Sequence, residues 1–274
     1  MIQKLEKQDY AKVKDLLKLE SEISNVGLNS VINGTNRGIV YVDNTEHPTT
    51  ALIYVVGVIL FLVGDPHNRA FNEDLNRLID NELKHDFIDA CGGTWFIGTS
   101  FDERWEVVLK DLFSERNYGT YFEYHFTFNL DKFLLNKKSS YSMHNAVLTK
   151  IDKQLLHDPK NEDIFTDFWD FWRSEDDFFK QGLGYCVVEN NKVISVCFSS
   201  HVDDNKHEIY VMSLEEARNK GLATICCTAF IEDCIKLGLE PHWSTYETNT
   251  ASVNLASRCG FQLDKKLVAF EFEL

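Results

Sequence analysis

Apolar residues recur at helical spacing over Lys12 to Leu19, where Val13, Leu16 and Leu17 fall on one side, and a short helix is expected there. Residues 25–38, rich in Asn, Gly and Ser, read as a loop. Gly38-Ile-Val-Tyr-Val42 is β-branched, Asp43 to Pro48 has turn chemistry, and a long apolar run follows from Ala51 to Val63, so a hairpin of buried strand is predicted. Gly57 interrupts that run, which is well short of the roughly 20 residues that cross a bilayer. Leu75, Leu78, Ile79 and Leu83 within Asn72 to His85, and Val108, Leu109 and Leu112 within Trp105 to Phe113, predict two amphipathic helices. Tyr118 to Leu130 is dense in aromatic residues and reads as a strand. The polar break Asn136-Lys-Lys-Ser-Ser140 then suggests two domains, 1–138 and 139–274.

Beyond the break, Ile164 to Phe179 is aromatic and acidic together and is expected to be helix, its rings packed into a core rather than forming an acceptor wall. A regular alternation follows. Gly184 to Glu189 and Val193 to Ser200 read as strands joined by the turn Asn190-Asn191, and His207 to Met212 as a third. Thr224 to Leu237 is a helix ended by Gly238, Glu240 to Tyr246 a strand, Ala251 to Cys259 a helix ended by Gly260, and Leu267 to Glu273 the last strand. The fold class expected is α+β, a mixed and largely antiparallel sheet flanked by helices.

Composition narrows the function classes. A hydrophobic fraction of 44% with 13% aromatic supports real cores. A formal charge of -15 repels phosphate backbones and anionic lipid, which argues against nucleic-acid and membrane partners, while the same field would draw in a cationic acceptor. Met1 to Lys18 carries charges throughout and lacks a signal-type apolar stretch, and the seven cysteines are odd in number without a Cys-x-x-Cys pair. A reducing, cytoplasmic setting is expected. The nine histidines show no metal spacing, His207 reads as a strand-edge residue, and no metal is expected. The oligomeric state has no sequence signature.

The chemistry concentrates where the strand His207-Glu-Ile-Tyr-Val-Met212 runs through Ser213-Leu-Glu-Glu-Ala217 into Arg218-Asn-Lys-Gly-Leu-Ala-Thr224 and then into a helix. A loop opening a helix presents unpaired amides at the positive end of the macrodipole, which suits a diphosphate. Gly221 permits close backbone approach, Ala223 keeps its position small, Arg218 and Lys220 add positive charge, and Thr224 offers a hydroxyl. Gly-x-Gly-x-x-Gly, Walker-type and Gly-x-Ser-x-Gly motifs are missing. Cys226 and Cys227 follow the loop, where a helix start can lower a thiol pKa, yet core packing is the expected role because no His partner is near in sequence.

With Asn249-Thr-Ala-Ser252 and Leu255-Ala-Ser-Arg-Cys-Gly-Phe261 added, the chain resembles the GNAT acetyltransferase superfamily. Lys220-Gly-Leu-Ala-Thr224, Pro241-His-Trp243 and Ser252-Val-Asn-Leu-Ala256 look closest to the branch of zwittermicin A resistance acetyltransferases, whose N-terminal half is a GNAT-like domain without the pyrophosphate motif. The resemblance implies an acetyl-CoA-dependent N-acetyltransferase acting on a primary amine of a small molecule. It implies that acetyl-CoA enters where strand 207–212 splays from strand 240–246. The pantetheine would pair with the backbone of Val211, Met212 and Ser213, the pyrophosphate with the amides of Asn219, Lys220, Gly221, Leu222, Ala223 and Thr224, and Asn249 would lie near the pantetheine arm. An amide at Met212 or Ser213 would hold the developing oxyanion, and Glu208 is the candidate base, with Tyr246 and Glu247 in reserve. Many relatives carry a tyrosine as general acid where this chain has Ala256. That departure keeps a catalytically silent CoA-binding or sensing protein as the alternative.

Overall fold

The computed structural model describes residues 1–18, 25–137 and 145–274. Two compact units emerge, one of Met1–Glu123 with Lys266–Leu274 and the other of Tyr124–Lys265. The expected cut at 138/139 lies outside the described residues. Two strands carry the chain from one unit to the other, Gly119–Phe128 outward and Phe261–Glu273 back.

The first unit runs through β1 (Gln3–Lys4), α1 (Lys14–Lys18), α2 (Val26–Ile32), β2 (Gly38–Val42), β3 (Thr50–Val55), β4 (Ile59–Gly64), α3 (Arg69–Leu78), α4 (Lys84–Cys91), β5 (Trp95–Thr99), α5 (Arg104–Leu112) and the start of β6 (Gly119–Phe128). Its strands pair antiparallel from β1 to β4, and β4 then pairs parallel with β5. Every residue of β3 is buried because helices cover both sheet faces. Leu52, Tyr54, Leu60 and Leu62 pack with Phe71, Leu75, Phe87 and Trp105, whereas Val40, Ile53, Phe61 and Val63 pack with Val13, Leu28 and Val31. The stretch read as a loop after residue 25 contains α2. Asn25 caps it by accepting from the Leu28 amide at 2.7 Å, and burial of Leu28, Val31 and Ile32 overrides the poor local propensity.

The second unit continues with α6 (Leu130–Asn136), β7 (Val147–Lys150), α7 (Lys153–His157), α8 (Phe168–Phe171), α9 (Glu175–Gln181), β8 (Gly184–Glu189), β9 (Lys192–Asp203), β10 (Lys206–Ser213), α10 (Leu222–Leu237), β11 (Glu240–Tyr246), α11 (Thr250–Arg258) and β12 (Phe261–Glu273). β7 to β10 pair antiparallel, and α10 is the crossover that brings β11 parallel to β10. Asn190 and Asn191 both take positive φ, the hairpin turn their residue types favour. The aromatic stretch is two short helices rather than one, and it packs as expected. Phe165, Phe168, Phe171, Trp172 and Phe178 are buried, and the Trp172 indole donates to the Ser199 carbonyl at 2.9 Å. Among the described residues no helix is long and apolar enough to cross a membrane.

Candidate active site

The site starts from a mismatch in strand pairing. β10 pairs with β9 along its whole length, from Lys206 opposite Asp203 to Ser213 opposite Ser195. With β11 it pairs only at Lys206, His207 and Glu208, the last opposite His242. From Ile209 onward the two strands have separated. A bulge at Ser200 of β9 marks the same level, since Glu208 faces His201 and Ile209 faces Ser199. The Leu214 amide donates to the Ile194 carbonyl at 3.0 Å, which fixes the alternation of backbone groups. In an antiparallel ladder Tyr210 and Met212 then direct theirs toward β9, and Val211 and Ser213 direct theirs toward the gap. Of the expected backbone partners at 211–213, Met212 is therefore engaged with β9.

The loop that follows is shaped by two left-handed residues, Asn219 at φ 61° and Gly221 at φ 78°. A Cβ at Gly221 would meet no atom within 4 Å beyond its own stretch of backbone, so the space over this turn is open. Gly221 is the N-cap of α10 and offers no side chain to its first amides, and the first turn contains no acidic residue. The Ile225 amide is the first to bond back, to the Gly221 carbonyl at 3.2 Å, leaving Leu222, Ala223 and Thr224 with outward amides at the positive helix end. Arg218, Asn219 and Lys220 are exposed beside them, and Arg218 Nε donates to the Ser213 carbonyl at 3.4 Å. Glu215 and Glu216, also exposed, offset part of that positive charge.

The first unit has a parallel pair of its own, and it is built differently. After β4 the chain reaches α3 through Asn68, whose side chain accepts from the Phe71 amide at 3.2 Å and donates to Asp43, Thr49 and Thr50. The helix start is already capped there. Among the described residues, the parallel pair that opens beside an uncapped helix is the one in the second unit.

On the opposite face of β10 from α10, period-two alternation places Glu208, Tyr210 and Met212 together. The Tyr210 ring packs on Phe198 and Phe171, and its hydroxyl donates to Asp167 at 2.8 Å. Glu208 spans the gap, its Oε1 accepting from the Ser244 hydroxyl of β11 at 2.9 Å. Burial lifts its pKa from 4.5 to about 7 against the opposing hydroxyl and amide donors of Ser244. A carboxyl balanced near neutrality is suited to accept a proton.

Other expected residues are placed as follows. Asn249 caps α11, its side-chain oxygen accepting from the Ser252 amide at 3.1 Å, and Trp243 ties α11 to β11 by donating to the Ser252 hydroxyl at 3.0 Å. Asn249→Ala is thus expected to lower stability by about 1 kcal/mol, measured by denaturant unfolding. Ala256 is fully buried, so a tyrosine there would have to displace core rather than face the gap. Cys226 and Cys227 are buried with raised thiol pKa values, that of Cys226 to about 12, through desolvation. Both pack in the core of the second unit. His207 corrects the strand-edge expectation, since it is buried toward α10 with Nδ1 against the Ser199 hydroxyl at 2.8 Å. Tyr246, exposed at the end of β11, and half-buried Glu247 just after it fall level with Met212 and Ser213 when the parallel register is continued. Ser244, Asp167 and His201 have no motif to announce them; Ser244 and His201 enter through strand register, and Asp167 through the hydrogen bond it accepts from Tyr210 just before α8. Among the described residues no group of three or more His, Cys, Asp or Glu side chains is placed to hold a metal ion.

Comparison with known proteins identifies the family and the fold. The GNAT acetyltransferase family model matches residues 18–270. An uncharacterized N-acetyltransferase of Bacillus subtilis, YdfB, is 26% identical over 263 residues, covering 96% of this chain and 95% of its own length. A GCN5-related N-acetyltransferase-like protein from Streptococcus suis aligns with a TM-score of 0.70 at 22% identity, over 96% of this chain and 99% of that one. A tandem GNAT protein from the clavulanic acid biosynthesis pathway aligns at 0.59 with 12% identity, over 100% and 98%.

Proposed function

The chain belongs to the GNAT acetyltransferase family, and from that premise we propose that it transfers an acetyl group from acetyl-CoA directly to a primary amine of a small molecule. The observation that carries this reading is the separation of β10 from β11 beside the uncapped start of α10. Open space over Gly221 and outward amides at Leu222 to Thr224 fit a diphosphate, and the gap-facing backbone of Val211 and Ser213 fits an extended amide-bearing arm. Acetyl-CoA supplies the thioester that makes the acyl carbon reactive. We assign its site to the second unit, because Asn68 already caps the corresponding helix of the first. On the wording of residues 220–224, 241–243 and 252–256 we also place the chain nearest the zwittermicin A resistance-type branch.

In this reading each residue has one task. Arg218, Lys220 and the amides of 219–224 hold the diphosphate, and the Ser213 amide donates toward the acyl oxygen, where an oriented donor is worth about 10² to 10³ in rate. Glu208 takes one proton from the incoming ammonium, the amine nitrogen forms the C–N bond as the C–S bond breaks, and the second N–H proton passes through solvent to the departed thiolate, giving free thiol. The thiolate leaves unassisted by residue 256, since Ala256 offers no proton and lies in the core. Asp167 with Tyr210 and the carboxyl of Glu208 give this face an acidic character that suits a cationic acceptor.

Incubation with acetyl-CoA and a panel of primary amines, reading both free thiol and thermal stability, tests the proposal. Stabilisation of about 2.7 kcal/mol is expected at a hundredfold excess over Kd, together with thiol release for at least one amine. Stabilisation without thiol release would favour a silent CoA-binding protein, the reading that buried Ala256 supports. No stabilisation at all would remove both and leave an interaction role for the aromatic segment.

A further inference from the structure

The chemistry above leaves His201 unused. It is 2% exposed, its ring packs at 5.2 Å against Phe171, and its Nε2 has no hydrogen-bond partner among the described residues. A buried, unpaired ring nitrogen is costly, and native proteins seldom keep one without a purpose. Its place in the fold identifies a partner. His201 stands opposite Glu208 in the β9–β10 register, and both His201 and Tyr210 touch Phe171, so His201 shares the face of Glu208. Residues opposed in this way have Cβ atoms about 4.5 to 5.5 Å apart.

We propose that His201 is a positioning residue for Glu208, its Nε2 accepting the hydrogen bond of the Glu208 carboxyl once that carboxyl has taken the acceptor's proton. The inference rests on the reading of Glu208 as base. Glu208 then lies between two partners of opposite character. Ser244 of β11 offers only donors, its hydroxyl and its amide, which suit the anionic carboxylate. His201 of β9 is held neutral by burial, and with its proton on Nδ1 it presents a lone pair at Nε2. A carboxylate and a lone pair are both acceptors and do not bond, which matches a structure in which Glu208 leans to Ser244. A carboxylic acid bonds that lone pair through its O–H.

The proton therefore moves from the ammonium nitrogen to a Glu208 oxygen and stays there, hydrogen-bonded to His201, until solvent removes it. No charge passes to the imidazole. Because His201 favours the neutral carboxyl and Ser244 the charged one, the pair sets where Glu208 titrates. The other ionisable groups toward Glu208 are Lys206 and Tyr210 on its own strand, and His242 with Glu240 on β11. His125 of β6 couples through His242, and Asp167 just before α8 and Asp170 within it couple through Tyr210. None of these residues is altered in the test.

The experiment is a ¹³C NMR pH titration of side-chain carboxyls in glutamate-labelled protein without substrate, the Glu208 signal assigned by its loss in Glu208→Gln. His201→Leu is expected to lower the Glu208 midpoint by about one pH unit, since one lost hydrogen bond corresponds to roughly that shift. His201→Gln, whose amide oxygen reaches the position of Nε2, should restore it, while the shorter His201→Asn should not. That Gln–Asn pair decides the matter if the leucine variant fails to fold. With an amine that releases thiol, His201→Leu should lower kcat/KM in the native background and add nothing in Glu208→Gln. A midpoint near neutrality that is unmoved or raised in folded His201→Leu overturns the role of His201 alone, as would losses that add in the double variant. A midpoint at an ordinary glutamate value, or full activity of Glu208→Gln, overturns the base reading and this inference with it.

Discussion

Gly221→Leu is expected to weaken acetyl-CoA binding by at least about 100-fold while the protein remains folded. Two separate quantities lead to that expectation. The backbone at Gly221 sits at φ 78°, where an L-residue costs roughly 1 to 2 kcal/mol. That is a minority of the 5 to 15 kcal/mol typical of a folded domain. The new side chain meets no protein atom near its Cβ, so no core contact is disturbed. The same open space is where a diphosphate must come to reach the amides of Leu222, Ala223 and Thr224. Charge-assisted bonds from such amides are worth about 1.5 to 3 kcal/mol each, so losing two of them accounts for the hundredfold effect. Isothermal titration with acetyl-CoA reads the affinity, and circular dichroism the fold. Unchanged affinity in folded protein would move the diphosphate site away from this loop.

The loop was legible in the sequence because its chemistry is local. Gly221 demands left-handed backbone, Leu222 to Leu237 is a helix closed by left-handed Gly238, and the spacing to Asn249 is fixed by the next strand and turn. The elements that failed locally were those whose reasons are distant. α2 looked like a loop because Asn and Gly punctuate it, yet Leu28, Val31 and Ile32 fill the space beneath β3. β5 has no local signature because Trp95 to Thr99 is short, follows Gly92-Gly93 and contains Gly98, and its strand character comes from pairing with Phe270 to Glu273 at the far end of the chain. The same distinction holds inside the site. Glu208 could be suspected from its place at the start of β10, but Ser244 and His201 meet it only through the registers of two neighbouring strands. No spacing rule reports a register that a bulge at Ser200 has shifted by one residue.

Glu208→Gln is expected to reduce kcat by about 10² to 10⁴ with little change in acetyl-CoA affinity. Glutamine retains an oxygen that accepts from Ser244, so the bridge across the gap between β10 and β11 persists and only the capacity to take a proton is lost. In the native protein kcat/KM should rise with pH through about 7, the value to which burial lifts this carboxyl, and Glu208→Gln should lose that limb. Stability should move in the opposite sense. The folded-state pKa lies above the ordinary glutamate value of 4.5, so between those two values the native state holds a proton that the unfolded chain has released. Folding stability therefore falls as pH rises from about 4.5 through 7, and above that the penalty of a desolvated charge is fully present. Glutamine is neutral at every pH. The variant should be at least as stable as the native protein at pH 8, with a relative advantage that shrinks on acidification as native Glu208 also becomes neutral, which Tm measured against pH reads directly. A less active and more stable variant at alkaline pH is what a base held ready at some cost to the fold requires. A variant that loses activity and stability together at pH 8 would instead assign Glu208 to holding the strands, and the base would have to be sought elsewhere on this face.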